Sequence, residues 1–158
     1  MKTNLGSGEK IIEGYDNVDI RPLSGVKVVA SILDLPFEDD SIEEIYAADV
    51  LEHINYRKIM DALKEWYRIL EPQGLLFIQV PDINCLIRHY NKANGVKKKE
   101  EAVRRWFGGQ DYPENVHYFA FSPMLIKDYL RKSGFHKKIT IESGTFGNYT
   151  NLRLWVKK

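Results

Sequence analysis

A chain of 158 residues with 44% hydrophobic and 28% charged residues has the size and balance of one soluble globular domain with a real core. Its net charge of +1 supplies no global field for nucleic acid or an anionic membrane, and no apolar run approaches the ~20 residues of a bilayer span. The single cysteine, Cys85, excludes an internal disulfide and a cysteine-rich zinc site and reads as a small buried hydrophobe.

Lys2 to Leu5 is a short run that enters Gly6-Ser7-Gly8, the pattern of a buried first strand turning tightly toward a helix. Tyr15 to Ile20 is the second strand, with Asp19 at its end. Lys10 to Gly14 is all that joins the two, so the first helix is expected to be one turn or distorted, because a full crossover takes ten or more residues. Arg21 to Gly25 is a loop by its proline and glycine, and Val26 to Ser31 reads as a buried third strand. Ile32 to Pro36 and an acidic turn, Phe37 to Ser41, follow.

Ile42 to Ala48 is the fourth strand and leads into Asp49 to Ile54. Arg57 to Leu70 carries Ile59, Leu63, Trp66, Tyr67 and Leu70 at three- and four-residue steps, and Glu71-Pro72-Gln73-Gly74 stops this helix. Leu75 to Val80 is a nearly all-apolar fifth strand, as the interior of a parallel sheet requires. Ile83 to Asn94 is predicted helical, with Asp82 as its N-cap, and Asn94 to Glu101 is a solvated loop or helix start. Arg104 to Gln110 reads as a lid-like aromatic–glycine segment in which Trp106 and Phe107 pack. Ser122-Pro123 opens a helix ended by Gly134. Ile139 to Glu142 and Leu152 to Val156 form an antiparallel hairpin around a turn from Gly144 to Asn151.

Alternating strands and helices with a terminal hairpin predict an α/β fold, a doubly wound Rossmann-like sheet that is mostly parallel, in a single domain over 1–158. In such sheets ligands bind beyond the carboxyl ends of the strands. Here those ends carry Gly6-Ser7-Gly8, Asp19, Asp34, Asp49 to His53, and Asp82.

NLGSGEK, GYDNVDI, ILDLPFEDDSIEEIYAADVLEHI, EWYRILEPQG, LLFIQVPD and RKSGF, in this order, resemble the class I S-adenosylmethionine-dependent methyltransferases, in particular the small bacterial-type group described as methyltransferase type 11. The resemblance implies S-adenosylmethionine as cofactor. It implies that Leu5, Gly6, Ser7 and Gly8 lie under the methionine part and that Asp19 accepts both ribose hydroxyls, with Ile20 on the adenine ring. Asp34 and Leu35 would read the adenine edge, Ala48 and Asp49 would border the methionine arm, and His53 would lie near the reaction centre. His53 and His117 are the candidate general bases, since histidine titrates near neutrality. Two departures stand out. Lys10 occupies the position of the usual third glycine, and eleven positions separate Gly8 from Asp19, against ~20 in dinucleotide-binding spacing, which disfavours a nicotinamide-dependent dehydrogenase.

The expected activity is methyl transfer to a small-molecule or glycan-related acceptor in the cytoplasm. No nucleic acid, membrane or metal is expected to take part, and a homodimer is one assembly the sequence allows. The alternative is a non-catalytic protein that binds S-adenosylmethionine or S-adenosylhomocysteine, or a subunit of a larger enzyme.

Overall fold

A computed structural model describes residues 1–146 and 149–158. Seven strands form one sheet: β1 (Lys2–Leu5), β2 (Asp16–Asp19), β3 (Val28–Val29), β4 (Ile42–Ala48), β5 (Leu70–Pro81), β6 (Thr140–Phe146) and β7 (Tyr149–Lys157). Their spatial order is β3-β2-β1-β4-β5-β7-β6, parallel from β3 to β5 and antiparallel at β7 and β6. The chain therefore starts in the middle of the sheet, runs to one edge and returns to build the other. The switch falls between β1 and β4, whose carboxyl ends open the crevice where ligands bind in such sheets.

Helices α1 (Ile59–Ile69), α2 (Ile83–Lys92), α3 (Val96–Phe107) and α4 (Pro123–Lys132) all follow β4. The predicted periodicity of α1 buries Ile59, Ala62, Leu63, Trp66 and Ile69, and this face joins Ile126 and Leu130 of α4 over Ile45, Ala47, Leu76, Ile78, Leu154 and Val156 of the sheet. Ser122 caps α4 by accepting from the Leu125 N–H at 3.3 Å, and Pro123 takes the first helical position, as predicted. Asp82 caps α2 through the Asn84 N–H at 2.9 Å. Its other oxygen accepts from Ser143 and from the thiol of buried Cys85, which ties α2 to the terminal hairpin.

Four differences from the sequence reading have physical causes. No helical residue lies between β1 and β2; Gly6 to Glu9 is a turn, because so few residues remain to form a helix. The third strand is two residues at the sheet edge, with Val29 57% exposed, because only β2 is there to pair with it. The 94–101 stretch and Arg104 to Phe107 belong to one helix, α3, bounded by Gly95 and Gly108 at φ +83° and +80°; only Ala102 is buried on it, so it has no apolar stripe to announce it. Glu71 to Gly74 end α1 but lie inside β5 as an outward excursion: Leu70 pairs with Ile42 and Leu75 with Glu44. The terminal strands are longer than predicted, and residues 147 and 148 of the expected turn lie outside the described residues.

The loop from β3 to β4 holds its shape without a helix because α1 reaches out to it. Arg68 donates to the carbonyls of Phe37 (2.8 Å) and Leu35 (3.2 Å) and pairs with Asp39 (2.7 Å), while Glu65 accepts from the Leu35 N–H at 2.8 Å. Trp66 Nε1 donates to the Ile32 carbonyl at 3.1 Å in the core. On the opposite face of the sheet, Tyr46 stacks on Phe77 at 4.7 Å between ring centroids and Phe77 meets Trp155 at 5.3 Å, so the side chains of β4, β5 and β7 cover one another.

Candidate active site

Two cavities open at the carboxyl ends of the parallel strands. The smaller, about 300 Å³, runs from Gly6 and Gly8 past Asp19 and Ile20 to Ala30, Ser31 and Ile32. The larger, about 510 Å³, lies between the end of β4, Pro81 of β5 and the α3 end, with Glu52, His53, Arg105 and His117 in its wall. Asp49, His53 and Tyr112 line both cavities. One chamber thus meets the other across a short boundary.

The glycine turn is shaped by what it lacks. Gly6 and Gly8 have φ of +60° and +52°, and a Cβ on Gly6 would lie 2.1 Å from Val50 Cγ2. Ser7 is buried; its N–H donates to the Val18 carbonyl at 2.9 Å, which locks the turn to β2. The Gly8 N–H donates to Asp19 Oδ2 at 2.8 Å, and Asp19 Oδ1 accepts from the Arg21 backbone at 2.9 Å and from Arg21 Nε at 3.1 Å. A carboxylate offers about four acceptor positions, so in this arrangement Asp19 has room for one further donor rather than two.

A loop from Gly108 to Tyr118 closes over both cavities. The Arg21 guanidinium lies 4.3 Å from the centroid of the Tyr112 ring, and the Tyr118 N–H donates to the Glu52 carbonyl at 2.8 Å. The His117 N–H donates to the Phe107 carbonyl at 3.1 Å, so the loop is pinned to α3 as well. Gly108 to Gln110 belong to the lid-like segment read from sequence and His117 is a candidate base, but Tyr112 carries no sequence signal, since its partner Arg21 is remote in the chain.

Asp49 has φ +54°, a conformation asparagine and aspartate tolerate best among side-chain-bearing residues. The residue is accessible from the cavities, but its carboxyl group sits among protein atoms, and that desolvation pushes it above the ordinary carboxylate range. Its oxygens accept from Gln79 Nε2 at 2.7 Å and Asn151 Nδ2 at 3.0 Å. His53 and His117 meet edge to face at 4.8 Å. Burial lowers both, His117 to about 4 with a further push from His53, so both are neutral at pH 7. Beside them Glu52 is fully buried, and neither of its carboxyl oxygens has a partner among the described residues; loss of water raises its carboxyl well above the usual range.

Of the expected cofactor residues, Gly6, Gly8, Asp19, Ile20 and Asp49 line the smaller cavity. Leu5, Ser7 and Ala48 do not line it; Leu5 is core, and Ser7 serves the turn through its backbone. Asp34 and Leu35 are likewise outside it. A tight turn in which the Asp34 N–H donates to the Ser31 carbonyl leaves Asp34 exposed, while Leu35 points into the core. Ala30, Ser31 and Ile32 take the wall expected of them. The two expected histidines do come together at the boundary.

Residues 15–78 match the methyltransferase domain family model. A Methanocaldococcus jannaschii protein described only as uncharacterized is 42% identical over 62 residues, 39% of this chain and 26% of that one; this chain thus matches about a quarter of that relative's length. Among solved structures, a SAM-dependent methyltransferase from Archaeoglobus fulgidus superposes with a TM-score of 0.62 at 15% identity, covering 90% of this chain and 75% of that one. The 1,6-didemethyltoxoflavin-N1-methyltransferase of Burkholderia thailandensis, with bound 1,6-didemethyltoxoflavin and S-adenosylhomocysteine, gives 0.63 at 13% identity, covering 99% and 70%. The chain thus carries a match to the methyltransferase domain model over residues 15–78 and shares its fold with solved S-adenosylmethionine-dependent methyltransferases.

Proposed function

We propose that the protein transfers the methyl group of S-adenosylmethionine, held in the smaller cavity, to a small-molecule or glycan-related acceptor held in the larger one. The observation that carries this reading is the meeting of two chambers at Asp49, His53 and Tyr112. In-line displacement needs donor and acceptor on opposite sides of one such boundary, and placement supplies much of the acceleration. The Burkholderia thailandensis enzyme, similar in fold, holds a small molecule and the demethylated cofactor together.

The residues present fit the cofactor. The Gly6 turn brings backbone to the cavity where no side chain fits, and Asp19 offers an acceptor position to a ribose hydroxyl. Ile20, 59% exposed, presents an apolar surface for the adenine ring beside Ala30 to Ile32. Asp19, Asp49 and Glu114 in the same wall suit a sulfonium cation. When bound, the cofactor supplies an already activated methyl group. His53 faces both chambers and is neutral, so its free ring nitrogen is available to take a proton from an acceptor hydroxyl or amine; His117 flanks the acceptor on the other side. The loop around Tyr112 excludes water from the boundary.

Incubation with methyl-labelled S-adenosylmethionine and a panel of hydroxyl- and amine-bearing metabolites and sugars tests this. Label transferred to at least one acceptor, lost in Asp19→Asn, is the expected result. A protein that binds the cofactor and transfers no label to any acceptor class would instead be the non-catalytic binding protein or subunit, a reading favoured by the three helix-free connections between β1 and β4.

A further inference from the structure

Methyl transfer as proposed gives Glu52 no role. A carboxyl group with no exposure and no partner on either oxygen is costly whether it is ionised or not. It does not stand alone: one ligand atom each from Glu52, His53 and His117 lie within 4.8 Å of one another. All three residues line the larger cavity.

We propose that Glu52, His53 and His117 form a binding site for a divalent transition-metal ion in the wall of the acceptor cavity. Two imidazoles and one carboxylate are the donor set that suits zinc and its first-row neighbours rather than calcium or magnesium. The ion resolves the orphaned carboxylate by becoming its partner. The second shell is already in place for His53, whose Nδ1 lies 3.2 Å from the Val116 carbonyl. With the proton on Nδ1 donated there, Nε2 keeps its lone pair for an ion, the usual arrangement of a ligating histidine, and with an ion bound His53 serves as ligand in place of proton acceptor. The loop that carries His117 is fixed on both sides, by Tyr118 to the Glu52 carbonyl and by the His117 N–H to α3. Ligand–ion distances of about 2.0–2.2 Å put a bound set about 3–3.4 Å apart, so an inward rotation of ~1 Å by the two rings completes it. Asp49, held by Gln79 and Asn151, is not among the clustered ligand atoms.

Three protein ligands leave coordination positions open toward the cavity. On the reading of that cavity as the acceptor site, an acceptor with an oxygen donor, such as a hydroxy acid or a vicinal diol, completes the coordination.

Metal-stripped protein titrated with Co2+ and Zn2+ tests the site without any turnover. The expected result is one ion per chain, a visible Co2+ absorption band displaced by Zn2+, and a raised unfolding temperature, with Mg2+ inactive. Affinity should fall at least tenfold in Glu52→Gln and in His117→Ala, and stay unchanged in Cys85→Ser and His89→Gln, which remove donors outside the cluster. Glu52→Gln keeps shape and removes a buried ionisable group, so its folding is secure. His117 lines only the larger cavity, so S-adenosylhomocysteine binding by His117→Ala reports separately on the cofactor reading. No stoichiometric ion in the wild type, or equal affinity in the wild type and both cluster variants, would overturn the proposal.

Discussion

Substituting alanine for Gly6 probes the turn on which the cofactor cavity depends. At φ +60° an alanine costs about 1–2 kcal/mol in backbone strain. Its Cβ would lie 2.1 Å from Val50 Cγ2 and 2.6 Å from Val50 Cβ, closer than carbon atoms approach, and relief by displacement costs about 1–3 kcal/mol more. The expected loss is therefore about 2–5 kcal/mol, or roughly 2–4 °C in unfolding temperature for each kcal/mol in a chain of this size. Val50→Ala removes the Cγ2 contact but keeps the Cβ at 2.6 Å, so the double variant should recover about 1 kcal/mol relative to the sum of the single changes, leaving the backbone term and the remaining Cβ contact. Denaturant unfolding of all four members of this cycle measures the coupling, and S-adenosylhomocysteine affinity measured alongside should fall with Gly6→Ala and recover in part. A cycle additive within about 0.3 kcal/mol, or a Gly6→Ala protein as stable as the parent, would refute the reasoning.

The Arg68 clamp gives a pH-dependent test. Arg68→Met should cost about 2 kcal/mol at pH 7, after allowance for the third of the side chain that is exposed, and loosen the loop from Leu35 to Asp39. Arg68 holds Glu65 below its ordinary value, so this share of stability is present above pH ~4.5 and lost as pH falls through the lowered Glu65 value; in urea unfolding the gap between the variant pair should narrow with falling pH, the carbonyl contacts remaining. Trp66→Phe removes the donor to the buried Ile32 carbonyl and should cost about 1–3 kcal/mol in the same assay, with the helix itself intact by circular dichroism. Tyr112→Ala removes the ring under Arg21, and calorimetry should show roughly a threefold to tenfold weaker S-adenosylhomocysteine, the effect of ~0.7–1.4 kcal/mol.

The sheet was legible because parallel strands such as Leu75 to Val80 are apolar on both faces and their ends carry the polar residues. The site was legible where sequence and strand end coincide, at Gly6, Asp19, Asp49 and His53. It was illegible where tertiary contact decides. Asp34 looks like a strand-end ligand residue, but a turn at Ser31 and the pull of Glu65 on Leu35 carry the chain past the cavity. Tyr112 reaches the cavity only because Arg21, ninety-one positions earlier, offers it a cation. Helix α3 has the glycines at both ends that mark its limits, and these were the available signal in a segment with one buried residue. Glu52 has no signal of its own in sequence; only the burial of both oxygens beside two histidines sets it apart.

The central claim is that the cavity between the Gly6 turn, Asp19 and Ile32 takes the methyl donor and its product. Calorimetric titration with S-adenosylhomocysteine, with NAD as control, tests it most directly. The account predicts one S-adenosylhomocysteine per chain, binding at least tenfold weaker in Asp19→Asn with the fold unchanged, and no heat with NAD. Absence of binding by the folded wild type, or affinity indifferent to Asp19, would contradict it.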